Sequence, residues 1–256
     1  MRAIWLTMLA GLLVATPLRA QDAPRPDAAR TCEVPAYLLS SESALPKVAS
    51  AVKPGGKLNI LVIGSRSSVV GVSDVVSAYP GRLQAMLREK LPGVETNVTL
   101  EFQAKKTAED LAPTLGKLVA ERKPDLVIWQ TGTYDAMQAV DGEDFRHALD
   151  EGVAAMKAAG TDVVLMNLQY SPRTETMISG SAYLDNMRVV AQQHDVPLFD
   201  RFAIMRQWNE TGDFDLFSPS PGLDLAKRVH DCLARALSTF LIDAAHINPA
   251  ELRIQR

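Results

Sequence analysis

Short apolar runs alternate with amphipathic stretches along most of the chain, and this alternation is the feature that most restricts its fold. Five runs have the length and β-branched content of strands: NILVIG (59–64), TNVTLEF (96–102), DLVIWQ (125–130), DVVLMN (162–167) and VPLF (196–199). Most of them are apolar without interruption, as expected for strands that are buried on both faces. The alternation predicts a three-layer α/β/α sandwich around a flavodoxin-like parallel sheet of about five strands.

Apolar residues at helical spacing predict the covering layers, with a helical turn over 202–208 and longer helices over 79–91, 107–122, 144–159, 183–193 and 223–242. In a parallel sheet of this kind, binding sites lie beyond the carboxyl ends of the strands. We therefore expect the functional residues in three loops, with a fourth loop over 213–224 closing over them. The three loops are 65–74, 104–106 and 131–137.

The first twenty residues have the features of a secretory signal peptide. Arg2 precedes an apolar segment over 3–15, and Leu18-Arg19-Ala20 has the form of a cleavage site. The apolar segment is too short to span a bilayer comfortably, so no stable membrane anchor is expected. We expect cleavage near Ala20 and a periplasmic or secreted protein. Residues 21–56 would form a leader and linker, 57–243 the α/β domain and 244–256 a C-terminal tail.

Two cysteines, Cys32 and Cys232, follow the signal peptide. In an oxidising compartment such a pair suggests a disulfide, which would tie the leader to the last helix. Closing a loop of this size stabilises the fold by roughly 4–5 kcal/mol in the chain-entropy model. The alternative is two independent buried thiols.

Charge and ligand spacing exclude several classes of partner. The formal net charge is −3 and the lysines and arginines are spread along the chain, so neither nucleic acid nor anionic lipid is an expected partner. No group of His, Cys, Asp and Glu has the spacing of metal ligands, and no metal or other cofactor is expected.

Several stretches carry a family resemblance: SAYPGRLQAML, PDLVIWQTGTYD, DVVLMNLQYSP, VPLFDRFAIMRQW and CLARAL. In their order and spacing, between residues 57 and 241, the chain resembles the SGNH (GDSL-type) hydrolases, and exported bacterial members in particular. That family comprises esterases and lipases on a flavodoxin-like sandwich. The resemblance implies four sequence blocks that carry the chemistry.

The first block supplies the nucleophilic serine, two residues after the start of a Gly-Asp-Ser turn. Here the turn reads Gly64-Ser65-Arg66, so Arg66 falls at the nucleophile position. A guanidinium stays protonated and has no lone pair with which to attack an ester. The neighbours Ser65, Ser67 and Ser68 are expected to form the turn and to cap the next element.

The second and third blocks supply the oxyanion donors. Ala104 or Lys105 stands at the glycine position of the second block. In the third block, Gly132 is kept, Tyr134 replaces the asparagine, and Asp135 matches an aspartate that the resemblance implies to be mainly structural. A phenol can donate a hydrogen bond, but from a different place than an amide.

The fourth block, Asp-x-x-His, supplies the base in the family. One alignment puts Pro221 and Asp224 at the Asp and His positions, and another keeps Asp215 and puts Ser218 at the His position. Neither alignment provides a histidine. His230 is the one histidine near this loop, and it is the alternative base.

All four blocks depart from the family pattern, so we expect an exported, catalytically degenerate protein. It would bind a cell-envelope glycan, an acylated ligand or a protein partner, with Arg66, Tyr134 and Asp135 as candidate binding residues. Arg66 could instead fill the vacated site by pairing with Asp135 or Asp224.

Two other hypotheses remain open. The first is an active esterase or acyl-transferase, acting on acylated lipids or O-acetylated glycans, that uses Ser65, Ser67 or Ser68 with His230. The second is a scaffold that docks partners through the polar loop 171–182.

Overall fold

The computed structural model describes residues 32–217 and 222–254. Five strands form one parallel sheet in the order β2-β1-β3-β4-β5. This is the order of flavodoxin-like doubly wound folds, so the predicted fold class is confirmed. The strands are β1 (Lys57–Gly64), β2 (Glu95–Phe102), β3 (Leu126–Gln130), β4 (Asp162–Met166) and β5 (Leu198–Phe199).

Helices cover both faces of this sheet. They are α1 (Pro46–Ala51), α2 (Tyr79–Lys90), α3 (Ala108–Arg122), α4 (Thr133–Met137), α5 (Gly142–Ala158), α6 (Pro172–Met177), α7 (Ser181–His194), α8 (Arg201–Glu210), α9 (Leu223–Ala244) and α10 (Pro249–Ile254).

Each face of the sheet has its own apolar core, because successive side chains of a strand point to opposite sides. In β1, Ile60 and Val62 pack with residues of α2, α8 and α9. Leu61 and Ile63 pack on the other face with residues of α3, α5 and α7. The two cores fix the sheet in the middle layer and leave its carboxyl edge for the loops.

Several segments differ from the predicted secondary structure, among them 133–137, which was expected as a loop and forms α4. The turn expected over 202–208 is the ten-residue helix α8, which begins earlier because the Asp200 carboxylate accepts the Ala203 N–H. The loop expected over 171–182 contains α6, capped by Ser171, whose hydroxyl accepts the Thr174 N–H. The docking loop of the scaffold hypothesis is therefore partly helical.

The prediction that residues 21–56 form a leader and linker is wrong for the part that the structure describes. Helix α1 packs against the sheet, and Val48 is buried. The Asp162 carboxylate accepts the N–H groups of Lys47 and Val48 at 2.8 and 3.0 Å, which caps this short helix from a distant strand. The domain thus begins well before Lys57.

The chain is also tied together at both ends of the domain. The predicted disulfide between Cys32 and Cys232 is confirmed. Beyond the predicted boundary at residue 243, α10 continues the fold and its Leu252 is buried, so the expected tail is partly packed.

The predicted signal peptide lies outside the described residues. Within residues 32–217 and 222–254, no helix is long and apolar enough to cross a bilayer.

Candidate functional site

The turn after β1 keeps a tight backbone while its arginine points away from the sheet. A Cβ on Gly64 would lie 2.2 Å from Ser68 Oγ, so only glycine fits there. Arg66 is exposed, and its Nη1 donates to the Val72 carbonyl at 2.9 Å. The expected pairing with Asp135 or Asp224 is wrong, since no carboxylate of the described residues lies within ion-pair distance of Arg66. The nucleophile position is thus occupied by a side chain bonded to the neighbouring loop.

The three serines of the turn are held by one buried amide, Gln130, at the end of β3. Its Nε2 donates to Ser65 Oγ at 3.0 Å and to Ser67 Oγ at 2.7 Å. Its Oε1 accepts from Ser68 Oγ at 2.7 Å and from the Tyr79 hydroxyl at 3.0 Å. A primary amide offers two donors and two acceptor sites, and all four are used. The serines therefore belong to a hydrogen-bond network in which, among the described residues, no base accepts a serine proton.

Arg201, the first residue of α8, extends this network into the core. It is 1% exposed, and its Nη1 donates to Ser67 Oγ at 3.2 Å. Burial lowers the pKa of Arg201 to about 10, so the guanidinium stays charged at neutral pH. Burial likewise raises the pKa of Tyr79 to about 12, which keeps the phenol neutral. Ser67 thus lies between an amide and a buried cation.

His230 lies beside Tyr79 in an orientation that fixes its tautomer. The Tyr79 backbone N–H donates to His230 Nδ1 at 3.0 Å, and the two rings are nearly parallel with centroids 6.0 Å apart. Since Nδ1 accepts, the proton of the neutral ring is on Nε2. Burial first, and then the charge of Arg201, lowers the pKa of His230 to about 4. No hydrogen bond joins His230 to a serine in the described part of the chain.

The glycine position of the second block is identified by backbone geometry. Lys105, and not Ala104, has a left-handed φ of 57°. In the third block, Gly132 has φ 91°, and a Cβ there would lie 2.5 Å from Leu168 Cδ1. Both positions thus have a positive φ, the conformation that favours glycine, although only Gly132 is a glycine.

Asp135 serves the fold within this site. Its carboxylate is buried and accepts the N–H groups of Ala108 at 2.6 Å and Gly132 at 3.0 Å, and the Thr131 hydroxyl at 3.3 Å. Burial raises the pKa of Asp135 in spite of these bonds. Asp135 thereby ties the loop after β3 to the start of α3.

The space above the strand ends is small. Tyr134 is half-buried there, and the cavity that it lines with Ser65, Gly132 and Asp135 has a volume of about 10 Å³. That is room for one water molecule. Arg66 does not line it, so the three candidate binding residues do not converge on one cavity. Of the fourth block, Pro221 and Ser218 lie outside the described residues, and Asp224 is exposed in the first turn of α9.

A larger cleft opens on the far side of His230. Its volume is about 280 Å³, and it lies between the loop after β4 and helices α8 and α9. Tyr170 and Arg173 line one side, and Met205 and Val229 line the other. The described part of the chain thus offers a ligand more room beside His230 than at the family's catalytic position.

The sequence matches a model of a known protein family. The model of the Non-GDSL lipase-like family matches residues 31–247, which is most of the chain. The chain belongs to the Non-GDSL lipase-like family. This family and the folds of the structural neighbours support the SGNH-type resemblance predicted from the sequence blocks. No curated protein sequence matches.

Solved structures similar to this Non-GDSL lipase-like protein include three hydrolase-fold chains. TesA is 22% identical, with a TM-score of 0.57 over 72% of this chain and 99% of that one. Axe2, an acetylxylan esterase from Geobacillus stearothermophilus, is 17% identical, with a TM-score of 0.57 over 78% of this chain and 98% of Axe2. The lipase/acylhydrolase from Enterococcus faecalis is 18% identical, with a TM-score of 0.54 over 71% of this chain and 95% of the lipase/acylhydrolase. At these identities the likeness shows the fold alone.

Sequence reasoning missed three residues that organise the site of this family member: Gln130, Tyr79 and Arg201. Two of them, Gln130 and Arg201, had a weak local signal in the sequence. Gln130 is the polar last residue of the apolar strand LVIWQ. Arg201 is a charged residue in the stretch LFDRF, directly after the strand β5 and at the start of helix α8. A polar or charged residue in such a position is informative when it is buried, but burial is not visible in the sequence.

Proposed function

We propose that this protein is an exported, non-hydrolytic member of its family that binds a cell-envelope ligand. The ligand would be an acylated small molecule, an acylated glycan or an envelope protein. Two structural neighbours, an acetylxylan esterase and a lipase/acylhydrolase, favour acyl groups as the chemistry to which this fold is suited. The apolar wall of the cleft beside His230 is consistent with that choice.

The observation that carries the proposal is the hydrogen bond from the Tyr79 N–H to His230 Nδ1. A general base must present a free lone pair to the nucleophile's proton. In His230 one nitrogen is occupied by a backbone donor and the other carries the proton. The lowered pKa further weakens the ring as a proton acceptor. The rearranged esterase, in which Ser65, Ser67 or Ser68 would act with His230, therefore lacks an activated nucleophile.

A fluorophosphonate probe tests this proposal on the purified mature protein. We expect no covalent labelling of the wild type, while Axe2 as a positive control is labelled. We also expect Arg66→Ser to remain unlabelled, because the restored hydroxyl has no base within reach. Labelling of the wild type that disappears in Ser65→Ala, Ser67→Ala or Ser68→Ala would establish the rearranged esterase instead.

Export is tested separately. We expect the chain expressed from its full reading frame to be recovered outside the cytoplasm, with an N-terminus close to residue 21. Recovery of the uncleaved chain in the cytoplasm would refute export without affecting the argument about His230.

A further inference from the structure

Arg201 is a buried cation with unused hydrogen-bond donors. Two of the five buried side-chain nitrogen and oxygen atoms without a partner in the described part of the chain are its Nε and Nη2. No carboxylate of the described residues forms an ion pair with it, and its one bond goes to the neutral Ser67 hydroxyl. An unpaired buried charge costs several kcal/mol, so a fold that keeps one has a reason to do so.

The cleft beside His230 adjoins helix α8, which carries Arg201, although Arg201 itself does not line the cleft. Met205 lies one helical turn after Arg201 on α8 and lines the cleft. His230 also lines it, and lies close enough to Arg201 for that charge to affect its titration. The described residues that line the cleft include Arg173 and no aspartate or glutamate. The described lining residues thus include one arginine and no carboxylate, and burial, together with the nearby carboxylates of Glu175 and Glu210, raises the pKa of Tyr170 in the cleft wall.

We propose that Arg201 is the receptor for the carboxylate of a small apolar-chain acid that enters through this cleft. The inference rests on the proposed binding function and names the chemistry of its ligand. The Nε and Nη2 groups of a guanidinium present two parallel donors, which match the two oxygens of a carboxylate. The His230 Nε2–H is a further donor at the same wall.

The size and the apolar lining of the cleft indicate the length of the chain that the carboxylate carries. An apolar cavity of about 150 Å³ is known to hold benzene. A cleft of about 280 Å³, lined by Met205, Leu216, Leu225 and Val229, has room for a chain of about six carbons. Because the guanidinium is closed off in the unliganded chain, the acid must displace a side chain to reach it. Met205 is suited to yield, since its unbranched chain repacks easily.

Calorimetric titration of the mature protein with hexanoate tests the proposal, with hexanamide and inorganic phosphate as comparison probes. We expect hexanoate to bind, hexanamide to bind at least about tenfold more weakly because it lacks the charge, and phosphate not to bind. In Arg201→Met the affinity for hexanoate should fall about 10- to 100-fold. The matched control Arg206→Gln, which changes an exposed arginine of the same helix, should leave it unchanged within about twofold.

A second readout separates binding from a structural role. If Arg201 is kept for a ligand, the unliganded Arg201→Met protein should melt at the same temperature as the wild type or higher, because the unpaired charge is gone. A lower melting temperature together with unchanged hexanoate affinity would overturn the proposal. Should the variant not fold, the NMR resonance of the wild-type Arg201 Nε–H decides, since it must shift with hexanoate and not with hexanamide.

The outcomes distinguish this inference from the function on which it rests. Absence of hexanoate binding, or binding that leaves the Arg201 resonance in place, refutes the carboxylate site while the fluorophosphonate result stands. Fluorophosphonate labelling of a turn serine refutes the non-hydrolytic function whatever the titration shows.

Discussion

Acidification is predicted to destabilise this protein through His230, and the size of the effect follows from its surroundings. The pKa of this imidazole falls from 6.5 to about 4 on folding, because burial and then the Arg201 charge disfavour the protonated ring. As the pH falls, the unfolded chain takes up the proton first. The contribution of His230 to the free energy of unfolding is therefore complete above about pH 6.5 and is lost as the pH falls towards 4.

The magnitude is worked from the same two values. The difference between these two pKa values corresponds to roughly 3 kcal/mol, and most of it is lost by pH 4.5. Asp135 and Asp162 act in the opposite direction, since burial raises their pKa values and the folded chain takes up their protons first. The pH dependence of the wild type alone thus mixes several groups.

A difference measurement isolates the imidazole. In His230→Asn the amide oxygen can still accept the Tyr79 N–H but does not titrate in this range. Urea unfolding of both proteins between pH 8 and 4.5 should show a difference in unfolding free energy, in favour of the wild type, that shrinks by roughly 2–3 kcal/mol. His147→Asn, at an exposed position on α5, should retain the wild-type profile. A difference that changes by less than about 0.5 kcal/mol would mean that His230 is solvated and free to act as a base.

Three further perturbations test the framework of the site. Gly132→Ala should destabilise the protein by about 1–3 kcal/mol more than Gly93→Ala in thermal unfolding, since both residues have positive φ but only at Gly132 does a Cβ meet a side chain. Reduction of the Cys32–Cys232 disulfide should lower the free energy of unfolding by up to about 5 kcal/mol, because the bond closes a loop with a sequence separation of 200. Gln130→Met should cost about 2–4 kcal/mol in urea unfolding, because the buried hydroxyls of Ser68 and Tyr79 lose their shared acceptor and keep only each other as partners.

The fold could be predicted from the sequence because its largest energetic terms have a local signature. β3 and β4 are buried at every position, and a run such as LVIWQ or DVVLM shows this directly. Helix α1 was missed for the opposite reason. It is only six residues long, and its first N–H groups are satisfied by Asp162, more than a hundred residues further along the chain.

The site could be predicted only in its departures from the family pattern. The sequence locates Arg66, Tyr134 and Asp135, because they stand in blocks of fixed spacing. It does not show that Tyr79 meets His230 across 151 residues, or that Ser68 meets Gln130 across 62. Such bonds depend on side-chain orientation after folding, and no periodicity records them.

The network around Gln130 explains how the fold can persist without the reaction. In a hydrolytic site the serine hydroxyl and the base must keep hydrogen-bonding capacity free for the reaction, which lowers the stability of the folded protein. Here the Gln130 amide binds all three turn serines, and a backbone N–H occupies the acceptor nitrogen of His230. The retained shapes at Gly64 and Gly132 are then requirements of packing, since a Cβ at either position would strike a neighbour. Recovery of hydrolysis would accordingly require two changes in different loops, a nucleophile in place of Arg66 and a new base, and neither change alone would place a free imidazole against a hydroxyl.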